Sequence, residues 1–136
     1  MRIVIIEDEM FAARRLQNMI HEFNPSIEVS ATLESVKDSI AWFRLNKEPE
    51  LIFLDIHLED DLSFAIFREV SISCPIVFTT ATDEIATRAF KLKNIDFLLK
   101  PIMQNDLNAM IVKYSGHSKS NKAIDPDIFN EIINNR

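Results

Sequence analysis

Four apolar runs in the sequence each end on a polar residue, and this pattern constrains the fold more than any other feature. The runs span residues 3–6, 51–54, 76–78 and 97–99, and the polar residues after them are Glu7, Asp8, Asp55, Thr79, Thr80 and Lys100. Continuous apolar runs are typical of parallel strands buried on both faces, and open α/β sheets bind ligands at the carboxyl ends of their strands. As neighbouring parallel strands, the runs would bring Glu7, Asp8, Asp55, Thr80 and Lys100 into one pocket. Three carboxylates, a hydroxyl and an amine suit a hard divalent cation and a phosphoryl group.

Strand and helix patterns alternate along the chain. Strands are predicted at residues 2–6, 27–31, 51–55, 75–79 and 95–99, and helices at residues 10–23, 35–46, 63–71, 84–91 and 103–113. Apolar residues recur near helical spacing in the first two helices, and Trp42 is expected to be partly buried. Five strands alternating with five helices predict an α/β fold with a doubly wound, five-stranded parallel sheet.

The composition favours one globular domain and argues against several classes of protein. The chain has 136 residues, and its hydrophobic content of 47% is enough for a real core. The net charge is −6 and no run of lysine or arginine is present, so this chain is not expected to bind nucleic acid directly. The single cysteine, Cys74, excludes an internal disulfide and fits a reducing cytoplasm. The single glycine, Gly116, excludes a glycine-rich phosphate loop.

Targeting signals are not expected. Met1 is followed almost at once by the first strand, which leaves no room for a signal peptide. No apolar stretch approaches the roughly 20 residues that a membrane span needs. We therefore expect a cytoplasmic protein that does not enter a membrane.

The composition changes after Tyr114. Residues 115–122 are polar and resemble a linker, and Asp125-Pro126 is typical of a helix start. We therefore predict a domain at residues 1–114, followed at 115–136 by a linker and the start of a short or truncated helix. The chain is then either a fragment of a longer protein or a stand-alone domain, and the linker-like segment favours a fragment.

The predicted pocket suits phosphoryl transfer to a carboxylate. A Mg²⁺ ion held by Glu7, Asp8 and Asp55 would cancel the negative charge of a phosphoryl donor. Asp55 could then attack phosphorus and form an acyl phosphate. Lys100 could pair with the phosphoryl oxygens, and Thr80 could donate a hydrogen bond to one of them. Without metal, the clustered carboxylates should raise one another's pKa.

Four segments together resemble a known family. IIEDE, LIFLDIHL, VFTTA and DFLLKP are similar, in order and interval, to the signature segments of response-regulator receiver domains, from residue 1 to about residue 113. FTTATDEIATRAF and IDFLLKPI are similar to receivers attached to LytTR-type DNA-binding domains. The resemblance implies the flavodoxin-like (βα)5 receiver fold. It also implies that Glu7 and Asp8 are the acidic pair, Asp55 the phosphoacceptor, Thr80 the switch hydroxyl and Lys100 the phosphate-binding lysine.

The resemblance implies further details of the site. The backbone carbonyl of His57 would be a metal ligand, Phe97 would be the aromatic switch residue, and the Lys100-Pro101 bond would be cis. His57 and Thr82 occupy the positions that flank the phosphoryl group. Because Thr82 is short and His57 could obstruct an attacking water, we expect slow loss of the phosphoryl group.

The loop after Asp55 departs from the family pattern. It reads His57-Leu58-Glu59-Asp60-Asp61, without the Pro and Gly that receivers often carry there. Its three acids are most simply interpreted as a solvated loop, although they could add attraction for metal. Thr79 is interpreted as a structural strand residue, since only alternate positions of a strand face one side.

The function that follows from the resemblance is a phosphorylation-controlled switch and not a turnover enzyme. A sensor histidine kinase would donate the phosphoryl group, and the switch would assist its own phosphotransfer and dephosphorylation. Thr80 and Phe97 would then change the surface of the fourth helix, fifth strand and fifth helix. That surface could form a homodimer through charged residues, namely Arg88, Lys91, Lys93, Asp96 and Asp106. DNA would be bound only through an output domain that this chain lacks.

Two other hypotheses remain open. An aspartate-nucleophile, Mg²⁺-dependent phosphatase uses the same groups, but it would place its nucleophile on the first strand and usually needs a cap domain. A receiver-like interaction module could also have lost phosphorylation, although the complete set of acids argues against it.

Overall fold

The computed structural model describes residues 1–81 and 96–116. The strands are β1 (Arg2–Ile6), β2 (Glu28–Leu33), β3 (Leu51–Asp55), β4 (Ile76–Thr80) and β5 (Asp96–Leu99). The helices are α1 (Met10–Phe23), α2 (Val36–Leu45), α3 (Ile66–Glu69), which follows a 3₁₀ turn at Ser63–Ala65, and Gln104–Tyr114, called the last helix below. The predicted fourth helix at 84–91, Thr82, Arg88, Lys91, Lys93 and the predicted helix start at Asp125-Pro126 lie outside the described residues.

The five strands form one parallel sheet in the order β2-β1-β3-β4-β5, which confirms the predicted fold class. Ile6 pairs with Leu54, Asp55 with Thr79, and Thr80 with Leu99. These pairs bring the carboxyl ends of β1, β3, β4 and β5 to the same edge of the sheet, and polar residues follow at that edge.

Two hydrophobic cores cover the two faces of the sheet, because successive side chains of a strand point to opposite faces. Ile3, Ile5 and Phe53 belong to the core that α1 and the last helix cover. Val4 and Phe78 belong to the core that α2 and α3 cover. Each fully buried side chain of this size stabilises the fold by about 1.5–3 kcal/mol relative to an exposed one, so both faces need helices. Trp42 packs against the second core, as predicted.

The third helix is shorter than predicted. The sequence predicts one helix over residues 63–71, but the structure has a 3₁₀ turn followed by an α-helix that ends at Glu69. Val70 already has extended backbone angles, with φ −134° and ψ 143°. The chain must then run towards β4 and bury Ile72 and Cys74, which are each 2% exposed. This burial in the core ends the helix before residue 71.

Helices long and apolar enough to span a lipid bilayer are not found within residues 1–81 and 96–116.

Candidate functional site

The predicted site residues meet at the carboxyl edge of the sheet. Glu7 directly follows β1, Asp55 and Thr80 are the last residues of β3 and β4, and Lys100 directly follows β5. The backbone ladder continues past the strand ends, since Lys100 donates its amide N–H to the Thr80 carbonyl at 2.8 Å. Parallel pairing of strands with polar ends is therefore what assembles the site.

Glu7, Asp8 and Asp55 form an acidic cluster. One carboxylate oxygen from each lies within 4.8 Å of the others. Glu7 is 5% exposed and Asp55 is 7% exposed, while Asp8 is only partly buried. The three oxygens are hard ligands at a spacing that one divalent cation can bridge, which is the donor set that Mg²⁺ prefers. The residues present therefore fit a Mg²⁺ ion.

The two oxygens of Asp55 have different partners. Its Oδ1 accepts the backbone N–H of His57 at 3.3 Å, and its Oδ2 accepts from Lys100 Nζ at 2.9 Å. Lys100 Nζ also donates to Glu7 Oε1 in a very short contact. The ammonium group therefore bridges two of the three acids, and the pocket keeps an excess of negative charge.

The pKa values of the cluster show that it resists full ionisation. Burial raises the pKa of Glu7, and the neighbouring Asp55 adds to that effect. Burial also raises the pKa of Asp8, with Glu7 contributing. Burial alone would lower the pKa of Lys100, but its hydrogen bonds to Glu7 and Asp55 outweigh burial and raise it. The lysine therefore stays charged, and a further cation would relieve the remaining carboxylate repulsion.

The two predicted switch residues lie on the side of the sheet that faces α2 and α3. Thr80 is 1% exposed at the end of β4. Phe97 is partly buried and stacks on Phe78, with ring centroids 5.4 Å apart and an interplanar angle of 26°. Phe64 and Phe67 contact the same Phe78 ring edge to face. The Phe97 ring is thus part of an aromatic cluster that reaches α3.

A cavity of about 250 Å³ lies beside the acidic cluster. Glu7, Thr79 and Lys100 line it together with apolar residues of α1 and of the segment after β5. Thr79 lines this cavity and Thr80 does not, as expected for successive strand residues that point to opposite sides. The Lys100-Pro101 bond next to the cavity is cis, which confirms that prediction.

Sequence reasoning missed the role of Asp60. Its Oδ1 accepts the backbone N–H of Val36 at 2.9 Å, and its Oδ2 accepts that of Lys37 at 3.1 Å. The side chain is exposed, as expected for a solvated loop, but it also binds the first turn of α2. A contact between residues 24 positions apart leaves no periodic signal in the sequence. His57, by contrast, has an exposed side chain, as expected for a residue of this loop.

Comparisons with known proteins agree with the fold. The model of the response regulator receiver domain family matches residues 3–112. The chain is similar to the sensory transduction protein LytT of Bacillus anthracis, with 30% identity over 123 residues that cover 88% of this chain and 49% of the relative. It is also similar to the transcriptional regulatory protein LytR of Staphylococcus aureus (strain bovine RF122 / ET3-1), with 29% identity over 137 residues, 98% of this chain and 53% of the relative. The chain thus spans about half the length of these curated relatives.

Solved structures show the same fold. The response regulatory domain of protein mrkE from Klebsiella pneumoniae superposes with a TM-score of 0.70 at 30% identity, covering 85% of this chain and 95% of that one. The REC domain of the response regulator PhyR from Erythrobacter litoralis gives a TM-score of 0.71 at 20% identity, covering 90% of this chain and 95% of that one. The second likeness supports the fold alone.

Proposed function

Because the chain belongs to the response regulator receiver domain family of two-component systems, we propose that Asp55 accepts a phosphoryl group from a sensor histidine kinase. The observation that carries this proposal is the cluster of Glu7, Asp8 and Asp55, with Lys100 bridging Glu7 and Asp55. The cluster combines a carboxylate nucleophile, a candidate metal site and a cation for the phosphoryl oxygens. Fold alone would not supply this chemistry.

Asp55 is prepared for attack by its two hydrogen bonds. The His57 N–H and Lys100 hold its carboxylate plane, so one oxygen can attack phosphorus in line while the bond from phosphorus to the donor breaks. The product is an acyl phosphate, and the electron pair of the broken bond leaves with the donor. Lys100 Nζ is already 2.9 Å from the carboxylate, so a small movement would place it on a phosphoryl oxygen.

Glu7, Asp8, Asp55 and the His57 carbonyl are the residues that would hold Mg²⁺. When bound, the ion would supply the positive charge that a phosphoryl donor needs near three carboxylates. The ion would thereby offset the burial and the carboxylate repulsion that raise the pKa values of Glu7 and Asp8.

Thr80 and Phe97 would convert phosphorylation into a change of surface. Thr80 would hydrogen-bond the phosphoryl group, and Phe97 would move deeper into the aromatic cluster around Phe78. The affected surface includes β5 and the last helix. Asp96 on that surface already binds Lys113 Nζ at 2.9 Å and the Tyr114 hydroxyl within the chain. A homodimer that uses Asp96 would have to compete with these partners.

The whole regulator would act on DNA through a segment outside residues 1–136. Two relatives of about twice this length are named as a sensory transduction protein and a transcriptional regulatory protein. We therefore propose that residues 1–114 form the receiver of a cytoplasmic transcription regulator and that 115–136 lead to a LytTR-type output domain. The phosphatase hypothesis fits less well, because the candidate nucleophile ends the third strand and not the first.

The lifetime of the phosphoryl group would depend on two flanking positions. His57 has an exposed side chain next to the pocket, and Thr82 lies outside the described residues. We propose that a bulky His57 and a short Thr82 leave an attacking water poorly placed, so that the acyl phosphate is lost slowly.

Intact-mass spectrometry tests the proposed function. The chain is incubated with acetyl phosphate and Mg²⁺, and we expect the added mass of one phosphoryl group. Asp55→Asn should abolish the addition, because the amide cannot act as the nucleophile. Asp38→Asn, at an exposed position of α2, is the matched control and should be labelled like the parent. Equal labelling of the Asp55 variant and the parent would contradict the assignment.

A further inference from the structure

A side chain of the loop that follows the candidate phosphoacceptor hydrogen-bonds the start of α2. Asp60 lies five residues after Asp55, and its two oxygens accept the N–H groups of Val36 and Lys37 at 2.9 and 3.1 Å. These are the first two residues of α2. The first N–H groups of a helix have no partner within the helix, so a carboxylate there is favoured by hydrogen bonding and by the helix dipole.

The second cap of α2 is Ser35, the residue just before the helix. Ser35 Oγ accepts the N–H of Asp38 at 3.0 Å, and the Ser35 carbonyl accepts the N–H of Ser39 at 3.0 Å. The first turn of α2 is therefore capped by two different segments. Ser35 belongs to the chain entering the helix, whereas Asp60 belongs to the loop after β3.

The loop itself is closed by its own hydrogen bonds. The Leu58 N–H donates to the Asp61 carbonyl at 3.1 Å, and the Ser63 N–H donates to the Ile56 carbonyl at 2.8 Å. His57 and Leu62 form an antiparallel bridge between these contacts. Residues 56–63 thus form a compact turn with Asp60 near its tip, and His57 belongs to the same hydrogen-bonded turn.

We propose that Asp60 is a positioning residue that fastens this turn to α2 and thereby sets the affinity of the site for Mg²⁺. The inference rests on the proposed function, in which the His57 carbonyl is the fourth candidate ligand of the Mg²⁺ ion. Asp60 does not touch the acidic cluster; it holds the segment that carries a ligand. Groups that orient metal ligands commonly change metal affinity by about 10–100-fold when removed.

Isothermal titration calorimetry with Mg²⁺ alone tests the proposal on the full chain. Asp60→Ala should weaken Mg²⁺ binding about tenfold. Glu59→Ala removes the same charge from the neighbouring exposed position and should bind Mg²⁺ nearly like the parent. Ser35→Ala removes the other cap of α2 and should also bind like the parent, although it destabilises the helix. Equal weakening by Asp60→Ala and either control would overturn the proposal, because charge or helix stability would then explain it.

Amide hydrogen exchange gives a second readout that does not depend on activity. Coupling between two sites is reciprocal, so Mg²⁺ should slow exchange of the Val36 and Lys37 amides in the parent. Asp60→Asn, which keeps one acceptor oxygen, should reduce this effect and serves if the alanine variant fails to fold. Unchanged exchange of these amides on adding Mg²⁺ to the parent would contradict the coupling. If the parent is labelled on Asp55 while Asp60→Ala keeps the parent's Mg²⁺ affinity, the proposed function stands and this inference fails.

Discussion

Asp8 and Asp60 are the same residue type with the same ordinary pKa of 3.8, but the two regions that hold them shift it in opposite directions. In the acidic cluster, burial and then the neighbouring Glu7 raise the pKa of Asp8. In the loop, partial desolvation alone would raise the pKa of the exposed Asp60, but the backbone N–H groups of Val36 and Lys37 outweigh it and lower the pKa. The charged form of the carboxylate is destabilised in the site, whereas hydrogen bonds stabilise it in the loop.

The difference separates a binding acid from a structural acid. A carboxylate that is repelled by its neighbours in the metal-free protein favours cation binding, since the cation relieves the repulsion. An acid that already accepts two backbone hydrogen bonds stabilises the fold and gains less from a ligand. Both are acids in a loop after a strand, and their partners in the structure give the physical reason for their different roles.

The same substitution should have opposite effects on thermal stability at Asp8 and at Asp60, and this is the largest of the expected differences. In metal-free buffer at neutral pH, Asp8→Asn should raise the thermal unfolding midpoint because it removes a repelled charge. Asp60→Asn should lower the midpoint by roughly 4 °C, since loss of a cap costs about 1 kcal/mol and the amide turns a donor towards one of the two N–H groups. Differential scanning calorimetry of both variants measures the two shifts.

The pH dependence gives the control for that pair. The raised pKa of Asp8 means that its contribution to stability is fully present below pH 3.8 and is lost as the pH rises through the raised value. The lowered pKa of Asp60 means that its contribution is present above pH 3.8 and is lost as the pH falls through the lowered value. The gain from Asp8→Asn should therefore shrink as the pH approaches 3.8 from above. A gain that stays constant over that range would show that its origin is not the charge of Asp8.

A smaller effect extends the comparison to two buried serines. Ser39 and Ser63 are both 0% exposed. Ser39 Oγ donates to the Ser35 carbonyl at 2.7 Å, whereas Ser63 Oγ has no hydrogen-bond partner among residues 1–81 and 96–116. Ser63→Ala should therefore be more stable than Ser39→Ala by about 1 kcal/mol, because only the latter loses a hydrogen bond. Urea unfolding of both variants measures the difference, and a Ser63→Ala protein less stable than the parent would contradict the interpretation.

Much of the fold was predictable, because its signals are local. Apolar runs mark β1, β3 and β4, and the polar residues after them meet for the simple reason that parallel strands end at one edge. The positions of Glu7, Asp55 and Lys100 in the structure follow from that rule. The end of α3 at Glu69 was not predictable, because burial of Ile72 and Cys74 depends on the tertiary path towards β4.

The capping role of Asp60 was also beyond the sequence. Ser35 could be identified as a cap, since its partner Asp38 lies three residues away at the start of a predicted helix. Asp60 reaches the same helix from 24 residues further along the chain, and only the packing of α2 beside the β3 loop brings them together. A capping hydrogen bond is predictable from sequence where both partners are neighbours in the chain.

We propose that Asp55 is the phosphoacceptor because it lies in an acidic cluster in which burial and carboxylate repulsion raise the pKa values of Glu7 and Asp8. The most direct measurement is fragment-ion mass spectrometry of a digest made after brief exposure of the parent chain to acetyl phosphate and Mg²⁺. We expect the added phosphoryl group to map to Asp55 within the fragment that contains β3, and hydroxylamine should remove it, as expected for an acyl phosphate. A phosphoryl group on Thr79, Thr80 or another residue, or one that resists hydroxylamine, would contradict the assignment of Asp55.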